Sequence, residues 1–300
     1  MIFWPRARFE WRLRTRSVSL GECTRIVAVV NVGDGSSAGA GVSTASRAKV
    51  AVAAAVQAFD AGADIVELVV ESARGYAALV TTEEEQGQLL PVLEGLMMAR
   101  PKAVVAVAVR HAAAGRAAVR LGAEILNDVS SGDGLGWDDD LAKVVARTGC
   151  GLVLRHVCGR RREWVAEGSM SSDEVVPEVF AGLCERIMLA ESADIAAEQI
   201  VADPGFGAGR RVAEEMALLA GLGRLRQLGR PLVVGTPVAA AAEGVEAGRA
   251  RVVASHVAAI LAGVHLLRVR DVAVAREAVS VADAVLEAGN RSRQRHELIL

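Results

Sequence analysis

The feature that most constrains this chain is a rhythm of apolar segments that repeats eight times. Short runs rich in Val, Ile and Leu alternate with longer stretches rich in Ala, Arg and Glu, whose pattern is helical. The runs are continuously apolar, as strands covered on both faces are. The predicted strands lie at residues 25–32, 64–70, 103–109, 124–129, 151–156, 199–205, 231–236 and 265–271.

Predicted helices follow these strands, at residues 43–61, 82–99, 112–121, 137–148, 172–192, 211–228, 249–262 and 272–288. Eight β-then-α units are the number that forms a (β/α)8 TIM barrel, which is the fold we predict. A doubly wound open sheet is the competing fold, but it usually has fewer strands, and no G-x-G-x-x-G follows the first strand here. The alternation in FEWRLRTRSVSLGE predicts a short antiparallel β-hairpin before the barrel.

No Pro- or Ser-rich stretch interrupts the chain, so the sequence shows no obvious linker between domains. We expect an N-terminal hairpin extension over residues 1–24, the barrel over 25–288 and a polar C-terminal tail over 289–300.

Composition excludes several classes of partner. The net charge of −2 offers no basic footprint for nucleic acid or an anionic membrane, and no apolar run reaches the ~18 residues of a membrane span. The N-terminus shows no signal-peptide pattern. The four cysteines are far apart and form no C-x-x-C, which indicates reduced thiols and a cytoplasmic protein.

Loops that follow the strands build the functional site of a barrel of this kind. Polar residues that end or follow the predicted strands are therefore the candidates: Asn31, Glu71, Arg74, Arg110, His111, Asn127, Asp128, His156, Asp203, Arg268, Arg270 and Asp271. One strand end is bare, because PLVVGTPVAAAAEG (231–244) carries no charge before Glu243.

These strand ends, in this order, resemble those of dihydropteroate synthase and its pterin-binding relatives. The resemblance runs from about residue 9 to 288 and rests on AVVNV with a Gly/Ser loop, GADIVELVVESARG, GAEILNDVSSG, LVLRH, IVADPGFGAGR, PLVVG and LLRVRDV. Members of this family join 6-hydroxymethyl-7,8-dihydropterin diphosphate to 4-aminobenzoate and release diphosphate, with Mg²⁺. The resemblance also implies a pterin-like or phosphorylated ligand and suggests a homodimer.

The resemblance assigns roles to individual residues. Asn127 and Asp203 match residues that hold the pterin ring, and a carboxylate suits that ring because it can accept from both a ring N–H and an amino group. Asn31 matches the asparagine that faces the metal and the diphosphate. Asp203 before Pro-Gly could instead cap a turn, and Asn127 could belong to a plain strand-to-loop turn.

Three arginines are the other substrate-binding candidates. Arg74 matches an arginine of the second loop, and Arg268 matches the eighth-strand arginine at the diphosphate end. Arg270 replaces the family's histidine, so it keeps a cation but loses a group that titrates near neutral pH.

The chain departs from the family at the pterin end. Ala108 replaces the third-strand aspartate, Ala239 replaces the seventh-strand lysine, and Glu67 replaces the second-strand aspartate. At the strand end that carries no charge before Glu243, apolar residues thus replace the family's cations. Each lost charge-assisted contact would cost ~1–3 kcal/mol, so we expect impaired catalysis.

Three functions remain open at this point. The first is a diverged paralogue that keeps the pocket, and the second is a working transferase in which other groups, such as Arg110 or Arg155, replace the lost ones. The third is a non-catalytic barrel that partners a true synthase. Outside the site, His111, His256 and His296 are expected to be surface groups, and residues 83–85 (EEE) a solvated first helical turn.

Overall fold

A computed structural model describes residues 6–33, 43–70, 80–129, 138–156, 172–206, 210–236 and 245–297. An antiparallel hairpin comes first, with β1 (Phe9–Arg12) paired to β2 (Ser17–Leu20). The strands of the main sheet are β3 (Arg25–Asn31), β4 (Ile65–Val69), β5 (Val105–Val109), β6 (Ile125–Asp128), β7 (Gly151–Arg155), β8 (Ile200–Asp203), β9 (Val233–Gly235) and β10 (Leu266–Val269). The α-helices are α1 (Thr44–Asp60), α2 (Thr82–Ala99), α3 (Ala112–Leu121), α4 (Asp139–Thr148), α5 (Ser172–Ser192), α6 (Val212–Gly221), α7 (Val245–Leu261) and α8 (Val272–Glu297).

The main sheet is parallel and nearly closed. Its strand order is β8-β7-β6-β5-β4-β3-β10-β9, and a parallel bridge between Ala202 and Leu232 joins its two edges. Since a helix stands between each strand and the next, the fold is a (β/α)8 barrel with an N-terminal hairpin. Both predictions of fold are confirmed.

Two helix ends differ most from the sequence prediction. The helix predicted over 211–228 ends at Gly221 and continues as a 3₁₀ segment, Leu222–Leu228, which stops at Gly229 in a left-handed conformation. The last helix, predicted to end at residue 288, runs on to Glu297. The polar residues after 288 therefore extend α8, and the expected division into domains stays a prediction.

Strand side chains alternate between two cores. One face packs against the helices, while the other fills the barrel interior with Val27, Ile65, Ala106, Ile125, Val153, Val201, Val233 and Leu266. Because successive side chains point to opposite faces, the residues two places further along each strand also point inward. These second-layer residues are Val29, Glu67, Ala108, Asn127, Arg155, Asp203, Gly235 and Arg268.

The hairpin closes the amino-terminal end of the barrel. Trp11 and Leu13 are buried in the interior core, and Trp11 Nε1 donates a 2.8 Å hydrogen bond to the carbonyl of Gln199. A Cβ at Gly151 would lie 2.7 Å from Leu13 Cδ2, which explains the glycine at the start of β7. In the described part of the chain, the hairpin thus fills the amino-terminal end of the barrel interior.

Within the described ranges, every helix is too short or too polar to cross a lipid bilayer.

Candidate active site

The structure places four of the six candidate residues where the sequence predicts them to be. Asn31, Asn127, Asp203 and Arg268 lie at the carboxyl-terminal ends of β3, β6, β8 and β10. Arg270 follows β10 and is exposed. Arg74 and Ala239 lie outside the described residues, so their predicted roles remain predictions.

Glu67 links two of these residues inside the barrel. Its Oε1 accepts hydrogen bonds from Arg268 Nε at 2.8 Å and from Arg268 Nη2, and its Oε2 accepts one from Asn127 Nδ2 at 3.2 Å. Only 2% of the Glu67 side chain is exposed. The arginine expected at the diphosphate end thus has part of its guanidinium bound to a carboxylate, a contact that sequence reasoning missed.

The same contact fixes the amide of Asn127. With Nδ2 donating to Glu67, the amide oxygen Oδ1 faces away, and in the described part of the chain it is buried without a hydrogen-bond partner. Such an acceptor costs about 1–3 kcal/mol. A ligand N–H would satisfy it.

Asp203 is a second acceptor in the same layer. Its Oδ1 accepts the backbone N–H of Gly205 at 2.8 Å, so the turn-capping interpretation is confirmed for one oxygen. The other oxygen, Oδ2, lies 3.7 Å from Arg155 Nε. Burial raises the pKa of Asp203 above its ordinary value of 3.8, and the charges of Arg155 and Arg268 oppose that rise.

Arg155 stands beside Asp203 because the two residues are register partners on β7 and β8. Its Nη2 donates a 3.1 Å hydrogen bond to the carbonyl of Phe206, and its side chain is 16% exposed. The sequence signal was a charged residue at an inward strand end, and the structure brings it into the barrel.

Ala108 occupies the lumen between Val69 and Asn127 in the sheet register and is 2% exposed. Its methyl group offers a ligand neither a charge nor a hydrogen bond at this position. The sequence prediction that the third strand lacks a carboxylate at the site agrees with this placement.

The metal expected from the resemblance would meet Asn31. Its Oδ1 accepts from the backbone N–H of Gly33 at 2.9 Å, and the described residues contain no cluster of three or more His, Cys, Asp or Glu side chains suited to a metal. Mg²⁺ often binds through one or two protein oxygens together with substrate phosphates and water. The amide oxygen of Asn31 is therefore sufficient as a protein ligand for an ion whose other ligands would come mainly from the diphosphate and water.

Two predictions outside the lumen are wrong for one residue each, Glu85 and His256, whereas Glu83 and Glu84 are exposed as expected. Glu85 is not solvated: it is 3% exposed and accepts hydrogen bonds from Arg110 N (2.7 Å), His111 N (3.1 Å) and His111 Nδ1 (2.8 Å). Its carboxylate thereby accepts hydrogen bonds from the backbone N–H groups that lie just before α3. His256 is not a surface group either, since it is 1% exposed and its Nε2 lies 3.0 Å from Thr236 Oγ1.

His156, at the end of β7, belongs to a buried cluster. Arg210 Nη2 lies 3.0 Å from His156 Nδ1, and His156 Nε2 lies 3.2 Å from Glu178 Oε1. Because an arginine can only donate, Nδ1 accepts and the ring proton is on Nε2. The contact anchors Arg210, which lies where the chain returns from the loop after β8.

The family assignment follows from comparison with known proteins. Residues 27–270 match the family of pterin-binding enzymes. The chain belongs to that family. It is 32% identical over 176 residues to dihydropteroate synthase from Escherichia coli K12, and this match covers 59% of the chain and 60% of the relative.

Other relatives agree with that assignment. The mitochondrial folate synthesis bifunctional protein of Pisum sativum is 32% identical over 182 residues, which cover 60% of this chain but 35% of the relative. The chain thus spans less than two thirds of the length of these curated relatives. Dihydropteroate synthase from Xanthomonas albilineans, solved with 4-aminobenzoic acid, superposes with a TM-score of 0.78 and 33% identity, covering 92% of this chain and 98% of that one.

The structure of dihydropteroate synthase from Thermus thermophilus in complex with 6HMPPP has a TM-score of 0.71 and 32% identity. It covers 93% of this chain and 99% of that one.

Proposed function

We propose that this protein is a transferase of the dihydropteroate synthase type, acting in folate biosynthesis on a dihydropterin diphosphate and 4-aminobenzoate. The observation that carries the proposal is the pair of buried acceptors, Asn127 Oδ1 and Asp203 Oδ2, at the open end of the barrel. Two buried acceptors at this end of the barrel would match a pterin edge, which offers a ring N–H and an amino group. The Xanthomonas albilineans enzyme, solved in complex with 7,8-dihydropteroate, supports the same ligand class.

The reaction breaks the C–O bond between the pterin methylene and the diphosphate, which leaves with the bonding electrons. The amine nitrogen of 4-aminobenzoate forms the new C–N bond and releases one proton to solvent. Asp203 and Asn127 would orient the ring by accepting hydrogen bonds from it. Bound Mg²⁺ would stabilise the negative charge of the leaving diphosphate, held in part by Asn31.

Residues at the mouth would bind the diphosphate end. Arg270 is exposed after β10, close in sequence to Arg268, and a guanidinium suits phosphate oxygens. We assign diphosphate binding to Arg268 and Arg270 together, with Glu67 holding Arg268 through Nε and Nη2. Arg74 remains a third candidate from the sequence.

We expect slow catalysis, because the pterin end lacks the carboxylate that Ala108 replaces. One lost charge-assisted hydrogen bond corresponds to about 1.5–3 kcal/mol, or one to two decades in rate if the contact is made in the transition state. A homodimer is also part of the proposal, and light scattering on the purified protein would measure it.

Diphosphate release with both substrates and Mg²⁺ tests the proposed reaction. We expect slow turnover in the unchanged protein, loss of turnover in Asp203→Ala, and faster turnover in Ala108→Asp, with Asp60→Ala as an exposed carboxylate control. If neither the unchanged protein nor Ala108→Asp releases diphosphate, the transferase proposal fails and a binding role remains.

A further inference from the structure

Arg155 and Asp203 form a donor and an acceptor that stand side by side on the wall of the barrel. Their strands pair in register at these two residues, and Nε of Arg155 lies 3.7 Å from Oδ2 of Asp203. Each group also makes a hydrogen bond to the backbone. Gly205 N–H donates to Asp203 Oδ1, and Arg155 Nη2 donates to the carbonyl of Phe206. The pair is therefore preorganised without a ligand.

The chemistry of this pair selects the edge of a ring. An acceptor beside a cationic donor complements a cyclic amide, in which a ring N–H stands next to a ring C=O. A 2-amino-4-oxopteridine has an amino group, a ring N–H and a carbonyl oxygen in succession. Its N–H and amino group would face Asp203 Oδ2 and Asn127 Oδ1, and its carbonyl would face Arg155.

In a 4-aminopteridine, an amino group replaces the carbonyl oxygen, and the adjacent ring nitrogen carries no hydrogen. Its amino group would direct N–H donors at the guanidinium, and its neutral ring nitrogen would direct a lone pair at the Asp203 carboxylate. Both contacts are unfavourable in a buried site, where unpaired polar groups cost most.

We infer that Arg155 is a specificity-determining residue that donates a hydrogen bond to the ring carbonyl and makes this pocket select 4-oxopteridines over 4-aminopteridines. The inference rests on the proposed function, because it assumes that a pteridine ring occupies the lumen. The sequence LVLRH marked Arg155 as a group that could replace the lost ones, and the inference gives it a specific contact.

A purely structural role for Arg155 makes a different prediction. If Arg155 served only to offset the charge of Asp203, its removal would weaken binding of both rings or destabilise the fold. The ratio of the two affinities would then stay the same. That ratio is the decisive quantity.

The experiment measures equilibrium binding of 6-hydroxymethylpterin and 2,4-diamino-6-hydroxymethylpteridine by fluorescence titration near neutral pH. The proteins are the unchanged full chain, Arg155→Met, Arg155→Lys and Arg230→Met. Arg230 pairs with Glu191 away from the pocket and is the matched control. Thermal unfolding of each variant shows whether it is folded.

We expect the unchanged protein and Arg230→Met to prefer the 4-oxo ring by about tenfold or more, the worth of one charge-assisted hydrogen bond. Arg155→Met should lower that preference by about tenfold, and Arg155→Lys should retain part of it. If Arg155→Met proves unfolded, a lowered preference in Arg155→Lys alone supports the inference, because lysine keeps the charge but not the planar fork.

An unchanged preference in folded Arg155→Met, or in Arg155→Lys when Arg155→Met is unfolded, overturns the inference and leaves the proposed function standing. If the unchanged protein binds neither pteridine, the proposed function fails, and the inference fails with it.

Discussion

The two ends of the barrel interior are built from the same strands but differ in polarity. At the amino-terminal end the interior is apolar, and the polar atom that Trp11 brings there is hydrogen-bonded to Gln199. One layer further along, the interior holds Glu67, Arg155, Asp203 and Arg268, all with less than a fifth of the side chain exposed.

The difference shows how the fold separates stability from ligand binding. Apolar burial at the closed end stabilises the barrel in proportion to the area removed from water. At the open end, burial of charged groups opposes folding, and Asn127 Oδ1 and the raised pKa of Asp203 are two signs of that cost. Changes at the closed end should therefore alter stability, and changes at the open end should alter binding.

The largest expected effect is on stability at the closed end. Trp11→Ala should lower the free energy of unfolding by about 3–5 kcal/mol, because it empties a large buried site and leaves the Gln199 carbonyl without its donor. Urea unfolding measures this change. The affinity of the folded fraction for 6-hydroxymethylpterin should change less than twofold by this argument.

Arg8→Ala is the matched control for that variant, since Arg8 lies on the same segment and forms an exposed pair with Glu22. We expect it to change stability by less than about 1 kcal/mol. A large change in pterin affinity in Trp11→Ala would show that the two ends are coupled and would break the separation.

The next effect is on binding at the open end. Asp203→Asn should weaken binding of 6-hydroxymethylpterin by about ten- to a hundredfold, because the charged acceptor is lost. Stability should change in the opposite direction. Since burial raises the pKa of Asp203, the folded protein favours the protonated acid, and ionisation destabilises it as pH rises above 3.8 through the raised value.

Asp203→Asn should therefore be more stable than the unchanged protein near neutral pH, and this advantage should shrink as the pH falls toward 3.8. Thermal melts across this pH range measure it, with Asp60→Asn as an exposed control. A loss of stability in Asp203→Asn at neutral pH would contradict a cost of burial at this site.

The smallest effect concerns His256, a buried histidine beside Thr236 at the end of β9. Burial lowers the pKa of His256 from 6.5 to about 4, so the unfolded chain binds a proton before the folded one does. Its contribution to stability is present above 6.5 and is lost as pH falls from 6.5 to about 4. Between about pH 7 and 5.5 this amounts to about 1 kcal/mol.

The double variant His256→Leu with Thr236→Val should lack this part of the acid sensitivity, whereas Thr236→Val alone should keep it. Urea unfolding at the two pH values measures the difference. Equal pH dependence in the double variant and in Thr236→Val would mean that His256 titrates normally in the folded protein.

The sequence by itself determined the architecture and the placement of most site residues. Eight apolar runs separated by helical stretches predict the barrel, and because parallel strands share a carboxyl-terminal edge, Asn31, Asn127, Asp203 and Arg268 had to lie at one mouth. The resemblance to the family also placed Ala108 at the site, where it replaces the third-strand aspartate. These inferences need only local patterns, the topology of the fold and that resemblance.

Only the tertiary structure decided how the side chains pair. Glu67 and Arg268 are 201 residues apart, and Arg155 meets Asp203 only because β7 and β8 align in register. His256 and Glu85 were misplaced because their burial depends on strand ends and loops packed against them, which no helical pattern shows. Strand order and period fix where a side chain points, but its partner depends on neighbours that the closed barrel brings together.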